Sequence, residues 1–482
     1  MVKKNKNKRK KTKKVVVFKE IRRNVAGIDL AWRADHYVCG PIQENGEKEI
    51  TSFGTTTPEL YKMLKWLQER NVESVALEST SVYWIPTAEL LEANDIEVVL
   101  IDPREVRMVP GRKSDMKDCE WIQKLHSCGL LRGAFRPPES VVAIRSILRE
   151  KETVLAMRVQ TLQQMQKSLD QMNIRVHHAV SDIDGVTGTA IVRAIVEGER
   201  DPIKLAAHRD KRCKKSLSEI AEHLTGTWRD EHIFNLTQAF NRLQFLNKSI
   251  EEYDSRAKEM FAALSTTITD SDNPTSSSSD LPIEKPTNST SPTSTPAKLP
   301  AQKPTAKELK NITEKKSLYK IMGFDLTSLA GIGYETAAII VAELGNNLNR
   351  FEDENKFASY LGLSPSHGKS GGKNVRQNRR CKNTSRAGRA LRMAAASLYH
   401  STSALGAYFR NVTRRSDRKT AVKATARRLA HMIYRGVVYG KQYLDCGAEA
   451  YDNFLREKMV KNVKKIITTF NISMLEICPD IK

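Results

Sequence analysis

Nowhere among its 482 residues does the chain run through the roughly 18 consecutive apolar residues that a membrane span needs. Its lysine-rich start is followed only by Val15-Val16-Val17-Phe18, too short for the apolar stretch of a secretion signal or an anchor. Seven cysteines (Cys39, Cys119, Cys128, Cys213, Cys381, Cys446 and Cys478) form no C-x-x-C pair, and their odd number argues against a disulfide framework or a cysteine-built zinc site. A reducing cytoplasm is the expected setting, with no membrane partner. Acidic residues are also in deficit: 56 Asp and Glu face 79 Lys and Arg, a net charge of +23. That surplus points to a polyanion, because each phosphate neutralised by a basic side chain releases condensed counterions. Nucleic acid leads, which would associate the chain with the nucleoid. Charge alone leaves a ribosome-bound or merely soluble basic protein equally open.

The length allows two or three domains. Residues 1–23 read as a basic disordered tail, either a phosphate-binding arm or a solvated terminus with no specific task. From residue 24 the pattern predicts strands over 25–30, 36–42 and 47–53, with a turn at Asn45-Gly46. A helix over 58–70 follows, with Leu60, Met63, Leu64 and Leu67 on one face, Thr57 as N-cap and Pro58 at its first position. Then come a strand (72–77), a helix (86–93), a strand (97–101) and a polar helix starting near Lys113. The order is βββαβαβα, which resembles the ribonuclease H-like fold and bounds a domain at 24–136.

Four carboxylates stand out in this region. Asp29 closes the apolar run Val25-Ala26-Gly27-Ile28, Glu78 closes Val75-Ala76-Leu77, and Asp115 and Asp118 lie three residues apart, on one helix face. Solubility does not call for a carboxylate at the end of a buried strand. Singly, each could be a strand-end cap or a surface charge; together they point to a metal site for phosphoryl transfer. Gathered within a few ångströms they would repel by on the order of 1 to 4 kcal/mol per pair, a conflict that a divalent cation removes.

Beyond Pro137-Pro138 the period changes to heptads. Val141, Ile144, Leu148, Leu155, Leu162, Met165, Leu169 and Met172 form one seam, interrupted by Lys151 and Arg158. Leu236, Ala239, Leu243, Leu246, Ile250, Tyr253, Ala257, Met260 and Leu264 form another. Residues 137–264 are therefore expected as a helical coiled-coil region, whose partners could be each other, a second chain or an ordinary bundle. Residues 182–222, between the seams, look helical and basic. Residues 265–315, rich in Ser, Thr and Pro up to Thr305, read as a disordered linker. A mainly α C-terminal domain is expected over 316–443, and a helical tail over 444–482.

Within the C-terminal domain, 326–344 has the outline of a helix-hairpin-helix, where Gly331 and Gly333 would let a phosphate approach the following helix. An ordinary helical turn fits the same residues. Further on, Ser370-Gly371-Gly372 is crowded by Lys369, Lys373, Arg376, Arg379, Arg380, Lys382, Arg386, Arg389 and Arg392. A serine beside glycines and cations has the backbone freedom and positive surroundings that a nucleophile on phosphorus requires, though a plain flexible turn also fits.

The segments GIDLA, ALEST, KSDMKD, LAGIG and LGLSPSHGKSGGK, in this order and spacing, resemble the DEDD transposases of the insertion sequence 110 family. The resemblance implies a RuvC-like domain joined through a coiled coil to a C-terminal transposase domain, acting as a recombinase of a bacterial mobile element. It implies an acidic tetrad at Asp29, Glu78, Asp115 and Asp118 holding Mg²⁺, with Mn²⁺ as an alternative, and a catalytic serine at Ser370. Its implied partners are donor and target DNA, a bridge-type non-coding RNA and further copies of the chain, as dimer or tetramer. Gly331, Gly333, Lys369, Gly371, Gly372, Lys373, Arg376, Arg379, Arg380 and Arg386 are the expected nucleic-acid contacts. The alternatives are a metal-dependent endonuclease of the Holliday-junction-resolvase kind, in which water attacks, and a catalytically silent nucleic-acid-binding protein.

Overall fold

The computed structural model describes residues 19–31, 33–43, 46–79, 81–103, 106, 118–134, 136–213, 215–267, 306–364, 368–370, 373–375, 385–441 and 445–470, with 306–313, 368–370, 373–375, 466 and 470 for their backbone alone. The chain divides into two compact units, Met1–Arg136 and Pro137–Lys482.

In the first unit five strands form one mixed sheet: β1 (Val25–Asp29), β2 (His36–Ile42), β3 (Lys48–Phe53), β4 (Ser74–Glu78) and β5 (Glu97–Ile101), in the order β3-β2-β1-β4-β5. β1 pairs antiparallel with β2 and parallel with β4, and β4 runs parallel with β5. Such a sheet, followed by a mostly helical remainder, fits the ribonuclease H-like arrangement. Helix α1 (Thr57–Gln68) buries the expected Leu60, Met63, Leu64 and Leu67. Thr56, one residue earlier than expected, is its N-cap. Helix α2 (Trp84–Glu92) joins β4 to β5, and helix α3 (Asp118–Ser127) follows β5.

The central strands carry unbroken apolar runs because both faces are covered. Ala26, Ile28, Val75 and Leu77 share one core with α1, while Ala76 and Ile101 share another with Trp121, Ile122 and Leu125 of α3. Ala76 and Ile101, which the period-2 pattern sends to that side, thus meet a helix whose buried stripe matches them.

Among its described residues the second unit is helical apart from a short hairpin. Its longest helices, α4 (Glu139–Gln171) and, further along the chain, Asp230–Thr267, lie antiparallel. Three side-chain bonds fix this register: Lys151 Nζ to Asp254 Oδ1 (2.5 Å), Arg158 Nε to Asn247 Oδ1 (2.7 Å) and Arg242 to Gln164 Oε1 (2.7 Å). Moving up one helix moves down the other. The two heptad interruptions, Lys151 and Arg158, are the residues that find these cross-helix partners.

Between the long helices lie α5 (Val176–Ala179), α6 (Val186–Val196), α7 (Pro202–Ala206) and α8 (Leu217–His223), so the second long helix is α9. They close over one end of the pair, in a core that joins Met165, Leu169 and Met172 to Leu236, Phe240 and Leu243. The other end joins the C-terminal helices: α10 (Ala306–Met322), α11 (Tyr334–Leu344), α12 (Glu354–Tyr360), α13 (Arg386–Ser397), α14 (Ala404–Arg415), α15 (Arg418–Tyr439) and α16 (Gly447–Phe470). Ile144 and Phe261 sit in that core with Ile340, Leu391 and Leu429.

The expected linker enters the structure only at its edges. Residues 265–267 complete α9, and α10 begins at Ala306, where Ala-Lys-Glu-Leu-Lys is good helix former. Most of the Ser/Thr/Pro-rich stretch (268–305) and most of the basic tail (1–18) lie outside the described residues. No helix among the described residues is long and apolar enough to cross a membrane.

Candidate active site

The parallel ladder between β1 and β4 pairs Ile28 with Leu77, so Asp29 and Glu78 occupy the next step on adjacent strands. Two carboxylates far apart in sequence are thereby brought to one edge of the sheet, at the inter-strand spacing of about 4.8 Å. Glu78 is in register with Ile101, the last residue of β5. Asp102 follows directly, placing a third carboxylate at the end of a third neighbouring strand.

Helix α3 crosses β1 at Gly27. A Cβ there would stand 2.3 Å from the Gln123 nitrogen and 2.5 Å from the Cys119 carbonyl oxygen, so only glycine permits this approach. Asp118, exposed at the first residue of α3, precedes Cys119 and is carried to the same strand. Among the described residues no group of three or more His, Cys, Asp or Glu is close enough to hold a metal ion. Asp115, the fourth member of the expected tetrad, lies outside the described residues, as do the neighbouring Arg112, Lys113 and Lys117. The donor set is all carboxylate, the chemistry that Mg²⁺ prefers. Asp29 and Glu78 fit that role by their adjacency.

Two supports of this edge were not foreseen from the sequence. His36 is buried, and its Nδ1 accepts from the Ala31 N–H (3.2 Å), pinning the turn two residues beyond Asp29. Burial holds its pKa below the ordinary range against the raising effect of Asp35, which suits an imidazole that must accept at Nδ1. Ser79 donates from both its N–H and its Oγ to the Ile101 carbonyl (2.9 Å each), fixing the chain just after Glu78. A lone histidine or serine carries no sequence signal for such a role. Asp102 does: it closes the run Val98-Val99-Leu100-Ile101 as Asp29 and Glu78 close theirs. Cys39 is no nucleophile, since burial pushes its thiol up to about 12.

Ser370 belongs to the second unit. It ends strand β6 (Gly368–Ser370), which pairs antiparallel with β7 (Lys373–Val375), Ser370 opposite Lys373. The serine therefore terminates a hairpin ladder. Gly371, Gly372, Arg376, Arg379, Arg380 and Lys382 lie outside the described residues. Beyond the hairpin, Ser385 caps α13 by accepting from the Gly388 N–H (3.0 Å). A Cβ on Gly388 would meet the Leu361 carbonyl at 2.1 Å, so α13 lies against the segment that leads into the hairpin.

Arg386, an expected phosphate contact, is bonded to Glu152 Oε2 of α4 (2.5 Å), and Arg389 to Glu152 Oε1 (3.0 Å). The two hairpin-turn glycines of 326–344 differ. Gly331 has φ +84° and packs where a Cβ would be 2.8 Å from the Ala394 carbonyl, so internal packing against α13 accounts for it. Gly333, the N-cap of α11, faces open space, as a phosphate contact requires.

Two family models match the chain. One, described as a transposase and of the DEDD insertion sequence 110 type, covers residues 26–174; the other, described as transposase IS116/IS110/IS902 family, covers residues 325–410. No curated protein matches it. The first match takes in Asp29, Glu78 and Asp118, the second Ser370 and Arg386. With both characteristic segments present in order, the chain belongs to the DEDD transposases of the insertion sequence 110 family.

Proposed function

We propose that the protein cuts and rejoins DNA through an acidic site at Asp29, Glu78, Asp115 and Asp118 and a serine nucleophile at Ser370. Family membership makes it a DNA-processing transposase. The observation that carries the finer reading is the adjacency of Asp29 and Glu78 on paired parallel strands. The four carboxylates would hold Mg²⁺ or Mn²⁺, which when bound polarises the phosphodiester and stabilises the leaving oxygen. Ser370 Oγ attacks phosphorus, the bond to the leaving sugar oxygen breaks, and that oxygen takes up a proton as the serine gives one to solvent or a neighbouring base. The phosphoserine bond keeps the energy of the broken linkage, and a different strand's hydroxyl then displaces the serine. No nucleotide cofactor is consumed.

In this reading the paired helices α4 and α9 act as a coiled-coil arm, and 326–344 acts as a helix-hairpin-helix that meets nucleic acid at Gly333. Lys369, Lys373 and the arginines after them bind the backbone near the serine. A bridge-type RNA guides the choice of DNA sites. Carboxylates and serine lie in different units, which suits a dimer or tetramer in which different copies complete one site.

The test incubates the protein with Mg²⁺, a guide RNA transcribed from the element's flanks, and end-labelled donor and target DNA. A denaturation-resistant protein–DNA adduct is expected, absent with Ser370→Ala, and strand cleavage is expected to fail with Asp29→Asn. Cut DNA without an adduct, indifferent to Ser370→Ala, would instead mean attack by water.

A further inference from the structure

The surface where α14 ends and α15 begins carries cations that the fold leaves unpaired. From Arg410 to Arg428 the chain has eight Lys and Arg and one carboxylate, Asp417. Five of the cations, Arg414, Arg415, Arg418, Lys419 and Lys423, are exposed, and none forms an ion pair with a described residue. Asp417 is turned to the backbone, capping α15 by accepting from the Thr420 N–H (3.3 Å). The segment that packs on α14 through Tyr451 against Tyr408 adds three acids, Asp445, Glu449 and Asp452. Asp445 is engaged by the N–H groups of Ala404 (2.9 Å) and Gly447 (3.0 Å). With every one of these counted, cations still outnumber acids eight to four.

The second half of α15 shows the contrast. There Arg427 donates to Asn355 Oδ1 (2.7 Å) and Arg435 to both carboxylate oxygens of Glu354. Helix stability explains part of the unpaired set only: Arg414 and Arg415, in the last turn of α14, complement its dipole. Arg418 and Lys419 are the first two residues of α15, where the dipole opposes a cation and no acid shares the turn. An anion on this surface reverses that penalty. Arg418 is also held in place, its guanidinium 5.6 Å from the centre of the Tyr399 ring. That ring packs edge-on against Phe409 (5.9 Å), and the Tyr399 carbonyl accepts from Arg410 (3.0 Å). Three guanidinium and two ammonium groups, all donors, suit phosphate oxygens.

We infer that this surface is a second nucleic-acid contact, in which Arg414, Arg415, Arg418, Lys419 and Lys423 hold the phosphodiester backbone of DNA or RNA. All five lie beyond both family matches, the second of which ends at residue 410. The contact adds to the DNA-processing role and depends on neither the serine mechanism nor the acidic site.

The test uses the full chain in metal-free buffer, so that neither cutting nor a failure of the proposed catalytic site alters the reading. Photo-crosslinking to a thiouridine-labelled RNA hairpin and to a thiothymidine-labelled DNA duplex, with peptide mapping, is expected to place a label within residues 399–423 for at least one of the two, and the one that labels identifies the source. Binding followed by fluorescence anisotropy over a range of salt is expected to lose about 1.4 to 1.8 from the slope of log K against log salt in Lys419→Gln/Lys423→Gln, two phosphate contacts' worth. Arg414→Gln/Arg415→Gln serves as second variant, with the same loss expected. Lys248→Gln/Arg256→Gln removes equal charge from exposed positions of α9 and is expected to change the slope by less than one contact's worth, about 0.7. An unchanged slope in both variants, an equal loss in the α9 control, or crosslinks that avoid residues 399–423 on both nucleic acids would overturn the inference.

Discussion

Gly27 and Gln123 meet so closely that a methyl group on the glycine would stand 2.3 Å from the Gln123 nitrogen. The contact sets how near α3, and with it Asp118, can approach the strand that ends in Asp29. Gly27→Ala must push backbone rather than a side chain, at about 1 to 3 kcal/mol. Unfolding in urea, followed by tryptophan fluorescence, is expected to show that loss, since Trp32, Trp66, Trp84 and Trp121 lie in the first unit and only Trp228 in the second. DNA cleavage by the folded fraction should fall further than stability does, because the carboxylates are displaced.

A second prediction concerns acid. His126 is 3% exposed and its Nε2 lies 2.9 Å from Ser74 Oγ. Burial, helped by the charge of Arg22 and opposed by Glu97, lowers its pKa to about 4. The folded state thus binds its proton less readily than the unfolded chain does. Its contribution is complete above the ordinary value near 6.5 and is lost as pH falls from there toward 4. The loss is on the order of 3 kcal/mol at most. Tryptophan-detected urea midpoints should drop over that window, and His126→Gln, which keeps a partner for Ser74, should flatten the dependence.

Lys151 is 8% exposed in the middle of the long helix pair, bonded to Asp254 and 3.5 Å from Glu335. Lys151→Ala should destabilise the second unit by roughly 1 to 2 kcal/mol, because the buried lysine stem and its bond to the partly exposed Asp254 are both lost. Replacing both members, Lys151→Met with Asp254→Leu, should restore or exceed the original urea midpoint. An equal loss in the double variant would contradict the assignment of Lys151 as half of a pair.

Glu152 takes up two arginines at the start of α13. All three side chains are at least a third exposed, so the pairs contribute little to stability, about 0 to 1 kcal/mol each. Glu152→Gln is expected to leave the melting temperature within a degree or two while tightening DNA binding several-fold and steepening its salt dependence, as Arg386 and Arg389 become available to phosphate.

Much of the sheet could be read directly from the chain, because buried strands announce themselves as apolar runs and their ends as punctuation. The strands 36–42 and 97–101 fall where the pattern put them, and the others shift by only one or two residues. The heptads foretold the long helices and left their partner open; Lys151 and Arg158, which break the seam, are what fix the antiparallel register. What escaped reading acts across space: His36 under the Asp29 turn, Gly27 beneath α3, and Glu152 holding Arg386 across 234 positions. None of these differs locally from an ordinary histidine, glycine or glutamate. Asp102 escaped for no such reason, since it obeys the rule that singled out Asp29 and Glu78.

The most direct measurement is mass spectrometry of the protein–DNA adduct after nuclease and trypsin digestion. Cleavage after Lys369 and Lys373 isolates the four-residue peptide Ser370-Gly371-Gly372-Lys373, whose single hydroxyl side chain is Ser370. The account predicts a nucleotide phosphate on that peptide in the wild type and its absence in Asp29→Asn. A nucleotide on any other residue, or cut DNA with this peptide unmodified, would contradict it.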